Sequence, residues 1–190
     1  MSRRYELKRR AERQAKTRRR IVEAAVELHR TKGPARTTYS DVARRAGVQR
    51  HTLYRHFPDE RSLLLACSGH VAAEMPLPDP TQWEGIAAPD QRLRRGLEEL
   101  YAYFERAEDL LVRVLRDADY PPLREIAELR RLGPMARIRS ALARGLPRRK
   151  RVLAALDVAL DFQTWQTLAR KNGLSRREAV EASVRSILGQ

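Results

Sequence analysis

A single cysteine, Cys67, stands in 190 residues, so no intrachain disulfide can form and a reducing cytoplasm is the expected compartment. It follows Leu63, Leu64 and Leu65, which points to a buried structural thiol. No run of about 18 apolar residues is present to cross a membrane. The basic start is not followed by the apolar segment that a secretory signal needs. Strand-like alternation of useful length is missing, as are internal repeats, which leaves an all-α fold. There is no Gly-rich phosphate loop, no metal-spaced Cys/His set and no GxSxG elbow. His51 and His56 are five apart and diverge on a helix, so they make no metal pair. The sequence therefore offers no catalytic residue, no metal site and no cofactor, and an enzyme is not expected.

Positive charge is what the chain has in excess. The net charge is +15, and residues 1–66 hold 18 Lys and Arg against 7 Asp and Glu. The other residues are nearly balanced. Charge concentrated on one segment is the footprint of a polyanion-binding module. A membrane-surface helix would need a bulky apolar face that residues 1–20 lack. Residues 1–16 read as a basic arm with seven Lys and Arg against two Glu. Glu6 with Arg10 and Glu12 with Lys16 are spaced for helical pairs, yet nothing apolar anchors the arm. Free cations of this kind gain by displacing counterions from phosphate, and Arg3 or Arg4 would suit a narrow minor groove.

The stretch from Thr38 to Phe57 organises the rest. Thr38 with Asp41 has the form of an N-terminal capping box, and Val42, Ala43 and Ala46 give the following short helix an inner face. Gly47 supplies a turn without a Cβ. A second short helix turns Leu53 and Phe57 inward, with Arg50, His51, Tyr54 and Arg55 outward. Two short helices joined this way describe a helix-turn-helix. Ile21, Ala24, Ala25 and Leu28 mark a preceding helix that packs behind it, ending at Gly33-Pro34. Leu63, Leu64, Cys67 and Val71 mark a following one, from Pro58-Asp59 to about Glu74. Such a helix enters the major groove with its N-terminal residues toward base edges, so Gln49, Arg50, His51 and Thr52 are the expected base contacts. Arg50 suits guanine and Gln49 adenine.

The segment DVARRAGVQRHTLYRHFPDERSLLLA closely resembles the N-terminal signature of the TetR family of bacterial transcriptional repressors, over about Ile21 to Ala66. Gln49 and His51 stand where the family often has Ser and Gly, and Glu60 where many members place a phosphate-binding Lys. Tyr54 and His56 match family positions that hydrogen-bond phosphates, with Thr38 and Tyr39 joining them at the start of the preceding helix.

Residues 75–90 hold four of the ten prolines and form the expected domain boundary. This divides the chain into the arm (1–16), a DNA-binding domain (17–74) and a helical ligand-sensing and dimerisation domain (75–190). In the latter, Val152 to Arg170 reads as one helix apolar on two faces. Asn172-Gly173 stops it, and Ser175 with Glu178 caps the last helix. The resemblance implies that these last two helices form a dimer interface, here Leu153, Leu156, Leu160, Val180, Val184 and Ile187. It also implies a ligand cavity whose occupation shifts the fourth helix. Tyr101, Phe104, Phe162 and Trp165 either line that cavity or fill the core. Asp157 and Asp161, one turn apart and followed by Trp165, either meet a cationic ligand, or pair with arginines or face water. The expected protein is a homodimeric regulator, acting as a repressor on a palindromic DNA operator and released by an unknown small molecule, with no membrane partner. The alternative is an architectural protein that coats DNA and senses nothing.

Overall fold

The computed structural model describes residues 3–189, with the side chains of residues 3, 4, 130 and 131 excepted. All regular structure among the described residues is helical. The elements are α1 (Arg3–Thr31), α2 (Tyr39–Ala46), α3 (Arg50–His56), α4 (Glu60–Glu74), α5 (Pro89–Arg116), α6 (Pro121–Arg130), α7 (Ala136–Ala143), α8 (Lys150–Ala159), α9 (Phe162–Gln166) and α10 (Arg176–Leu188). They gather into two compact units, Met1–Glu74 with Val112–Ala127, and Met75–Leu111 with Glu128–Gln190.

The first unit is built on α1. Ile21, Val22, Ala24, Ala25 and Val26 are buried, against Val42, Ala43 and Ala46 of α2, Leu53 and Phe57, and Leu63, Leu64, Cys67 and Val71 of α4. The Cys67 thiol is pushed up to about 12 by burial, so it stays protonated and unreactive. Ahead of that apolar face the helix continues to Arg3. Its Ala, Glu, Lys, Arg and Gln are strong helix formers, and they carry α1 through the stretch expected to be a free arm. The expectation placed on Arg3 and Arg4 lies outside the described side chains.

Residues 112–127 were assigned by the proline-rich boundary to the second domain, but they pack with the first unit. Polar contacts to residues 31–35 are among those that hold them there. Arg113 Nε donates to Thr31 O at 3.0 Å, Arg116 Nη2 donates to Lys32 O at 2.7 Å, and the Ala35 amide donates to Asp117 Oδ2 at 3.1 Å. The loop they grip turns at Gly33, whose φ of +94° disfavours any side chain and whose Cβ position is occupied by Arg116 and Asp117.

His29, at the end of α1, is only 5% exposed. Burial pulls its pKa from 6.5 down to about 4, against the opposing pull of Asp117. The unfolded chain therefore binds a proton between those pH values that the folded chain refuses. Stability rises through that window as pH increases and is lost as pH falls from 6.5 toward 4, by up to roughly 3 kcal/mol. Denaturation curves of the parent and of His29→Gln, taken across this window, are expected to converge as the pH falls. Parallel curves would show that His29 titrates alike in both states.

In the second unit α5 supplies the central face. Leu93, Leu97, Leu100, Tyr101 and Phe104 pack with Trp83, with Ile138 and Leu142 of α7, and with Leu156, Phe162, Trp165, Val180, Val184 and Ile187. Gly96 lets α5 approach closely: a Cβ there would lie 2.5 Å from a methyl of Leu142. The single helix expected over 152–170 is divided. α8 ends at Ala159, and the Asp161 side chain accepts the Gln163 amide at 2.7 Å as the N-cap of α9. A π-turn over Thr167–Lys171 follows, and Gly173 at φ +69° turns the chain toward Ser175. What the sequence presented as two apolar faces of one rod is therefore two helices in succession.

Candidate nucleic-acid interface

The local chemistry of α2 and α3 positions this surface. Thr38 Oγ1 accepts the Asp41 amide at 3.1 Å, and Asp41 Oδ2 accepts the Thr38 amide at 3.3 Å, closing a capping box. Asp41 also accepts the Thr38 hydroxyl at 3.0 Å and meets Lys32 and Arg44. The Thr38 hydroxyl, then Lys32, hold its carboxyl down at about 2. The Thr38 hydroxyl is thus occupied by the cap itself. At the other end of α2, Gly47 adopts a left-handed conformation (φ +63°), and Arg20 of α1 donates to Ala46 O at 2.5 Å. A guanidinium there satisfies helix-terminal carbonyls at the negative end of the helix dipole.

α3 begins at once after Gln49, whose side chain makes no cap bond, as expected from the absence of Ser at that position. Gln49, Arg50 and His51 are exposed, and Thr52 is half-buried with its hydroxyl 3.3 Å from His51 Nε2. Arg50 leans along the helix: its Nη2 donates to Tyr54 OH at 3.3 Å. The Tyr54 ring lies 4.9 Å from that of Tyr39. Tyr39 OH donates to Phe57 O at 3.2 Å, locking α2 to the end of α3. Burial, then Asp59 and Glu60, raise the Tyr39 phenol well above its ordinary range, so it remains a donor. His56 is half-buried, and burial, then Arg55 and Arg18, lower its pKa. Arg55 was expected on the outer face of α3, whereas Arg18 is a side chain that the sequence had not singled out beside His56. Its only signal was position, one turn before Val22 on the inner face of α1.

Glu60 accepts a hydrogen bond from Tyr120 OH, and Arg61 Nε donates to Glu125 Oε2 at 2.6 Å. An acid where a phosphate-binding Lys is common therefore ties the first turn of α4 to residues 120–125. The Tyr120 phenol is pushed up to about 12 by burial and by this acid.

The residues expected around a ligand lie in the second unit. Phe104 meets Phe162 edge-on at 5.5 Å, and Trp165 lies 6.0 Å from Phe104 and 5.3 Å from Phe162. Tyr101 OH donates to Ala159 O at 3.0 Å, with Ser183 Oγ at 2.7 Å. These aromatics pack on one another. Asp157 and Asp161 do not form a cationic-ligand pair: Asp157 is engaged by Arg139, whose Nη2 lies 3.0 Å from it, and Asp161 caps α9. The expected dimer contacts also need correction. Leu156, Leu160, Val180, Val184 and Ile187 are covered by their own chain, and only Leu153 is half-exposed. The large apolar residue that α8 leaves exposed is Val158, at 57%.

Together α1 to α4 make a helix-turn-helix DNA-binding module on an all-α chain. Residues 21–67 match the model of the bacterial regulatory proteins of the tetR family. An uncharacterized HTH-type transcriptional regulator of Mycobacterium bovis is 44% identical over 62 residues, covering 30% of this chain and 33% of that protein. A counterpart in Mycobacterium tuberculosis is 42% identical over the same length. The chain thus matches about a third of the length of these curated relatives. Among solved structures, the TetR family transcriptional regulator PfmR of Thermus thermophilus superposes with a TM-score of 0.63 at 25% identity, over 88% of this chain and 97% of that one. AibR, solved with isovaleryl coenzyme A and operator DNA, shares the fold with a TM-score of 0.63 at 18% identity, over 89% of this chain and 96% of its own. Residues 21–67 are thus similar to the DNA-binding segment of the tetR family, and the whole chain is similar in fold to regulators of that family.

Proposed function

We propose that this protein is a cytoplasmic transcriptional regulator, a repressor that binds a palindromic operator as a homodimer and leaves it when a small molecule occupies the second unit. The observation that carries this is the exposed start of α3, with Gln49, Arg50 and His51 on a segment of net charge +11. Base reading falls to these three and Thr52. Tyr54 and His56 face phosphates, with Tyr39 bracing them and Thr38 contributing through its place at the start of α2. A dimer places two such heads on half-sites roughly 34–36 Å apart. Footprinting on genomic fragments is expected to reveal a protected inverted repeat. Arg50→Ala is expected to cost about 1–3 kcal/mol and to relax one base position in each half-site. Uniform protection without an inverted repeat would reject sequence-specific regulation.

The close packing of Tyr101, Phe104, Phe162 and Trp165 favours one second reading, an architectural protein without an effector. Its mark is operator binding that no small molecule changes. An effector must instead bind the two conformations unequally, since equal affinity shifts nothing. It has to part these rings, and the buried Trp165 Nε1, which has no hydrogen-bond partner, offers it a donor.

A further inference from the structure

α1 continues well beyond the residues that its own core covers. Side chains 5–16 are exposed, while Ile21 is fully buried. Within this extension Ala11, Ala15 and Arg18 lie one above another on the face that leads into Val22 and Ala25. The end of α3 stands opposite. Ala11, Gln14, Ala15 and Arg18 of α1, with Arg55 and His56 of α3, line an open cleft of about 350 Å³. The two alanines leave the room, and no carboxylate lines it.

Neither Arg18 nor Arg55 has an ion pair among the described residues. Arg18 is held in place: its guanidinium carbon sits 4.5 Å from the centre of the buried Phe57 ring. One cation held in place and a second, from Arg55, beside an imidazole, with no anion among them, repel one another until an anion arrives. The cleft lies at the C-terminal end of α3, five or six residues from Arg50, or roughly 8 Å along the helix. A helix whose first residues reach base edges in a groove about 12 Å wide has its far end beside the phosphates of the groove wall.

We infer that this cleft seats a backbone phosphate of the duplex bound by α3, which makes the extension of α1 a rigid second clamp on DNA. The inference rests on the DNA-binding reading above and deepens it. Clamp and tail differ in one respect: a tail needs only charge, whereas a clamp needs charge held by a helix.

The test is a salt titration of binding to a mixed-sequence DNA duplex, with thermal melts of each variant. Ala15→Glu places a carboxylate in the cleft on a good helix former. It is expected to flatten the log–log slope by about 0.9 per bound protomer, the worth of one phosphate, and to weaken binding by about tenfold per protomer at the low end of a tenfold salt range. Ala11→Glu repeats the test should the first variant melt early. Ala15→Gln is expected to keep the slope, as is Gln91→Glu, the same charge change on α5. Ala11→Gly with Ala15→Gly keeps every charge but loosens the helix, and it too is expected to weaken binding. Slopes for Ala15→Glu and Ala11→Glu equal to the parent's would overturn the clamp and leave the DNA-binding reading standing. Unchanged binding by the double glycine variant would make the extension a tail. If the parent itself binds no duplex at low salt, both readings fall.

Discussion

An aspartate at Ile187 is expected to unfold the second unit, not to separate two folded protomers. Ile187 is 1% exposed and packs inside its own chain with Val184, Leu156 and the α5 face. A carboxylate there has neither water nor a partner, and the helix offers it no donor. The expected loss exceeds about 4 kcal/mol, a large part of what a domain of this size has. Leu160→Asp is expected to behave similarly, since Leu160 is 8% exposed. Val158→Asp is the contrasting variant. At 57% exposure it disturbs no core. If α8 meets a second copy, it is expected to yield a folded monomer. Circular dichroism melts separate loss of fold from loss of partner, and sedimentation of Val158→Asp reads the partner. A folded monomer from Ile187→Asp would return that residue to the interface.

The second large effect is expected at Arg92. Arg92 is 4% exposed and makes no ion pair among the described residues. Instead Nε donates to Ala141 O at 3.1 Å, Nη1 to Ile86 O at 2.5 Å and Ala87 O at 3.4 Å, and Nη2 to Arg144 O. Two of these acceptors close the end of α7, where carbonyls have no helical partner and the helix dipole is negative. Burial, then Arg144, lower the guanidinium's pKa, yet an arginine keeps its proton. Arg92→Met keeps the length and removes every donor, leaving buried carbonyls unpaired at about 1–3 kcal/mol each. A total loss of at least about 3 kcal/mol is expected in chemical denaturation. Arg92→Lys is expected to recover little, because one ammonium cannot reach acceptors spread as a planar fork reaches them. Full recovery by lysine would reduce Arg92 to a charge at a helix end.

Much of the candidate nucleic-acid interface was legible because it rests on neighbours in sequence. The Thr38–Asp41 and Ser175–Glu178 boxes formed as their three-residue spacing required. Gly47 took the left-handed conformation that other residues resist. Leu53 and Phe57 turned inward at i, i+4 and left Arg50, His51 and Tyr54 outside. Helix propensity was legible too, but was underweighted: residues 3–16 had the composition of a helix and were set aside for lack of an apolar anchor. Asp161 has a role that spacing alone did not show. Its spacing from Asp157 fits one helical face, and the same aspartate is equally suited to start a new helix, which is what it does.

By itself, then, the sequence determined the helices of the DNA-binding module, their caps and turn, and the concentration of charge on them. Each depends on residues within one or two turns of each other, whose chemistry is the same wherever the segment lies. Only the tertiary structure decided which apolar residues their own chain covers, so that Leu156 and Ile187 became core while Val158 stayed outside. It also decided that residues 112–127 join the first unit, and that Arg18 meets His56 across 38 positions. Hydrophobic periodicity marks a face as one to be buried but does not name its cover. That is settled by which surfaces meet when distant segments pack, and one sequence carries no record of such pairings.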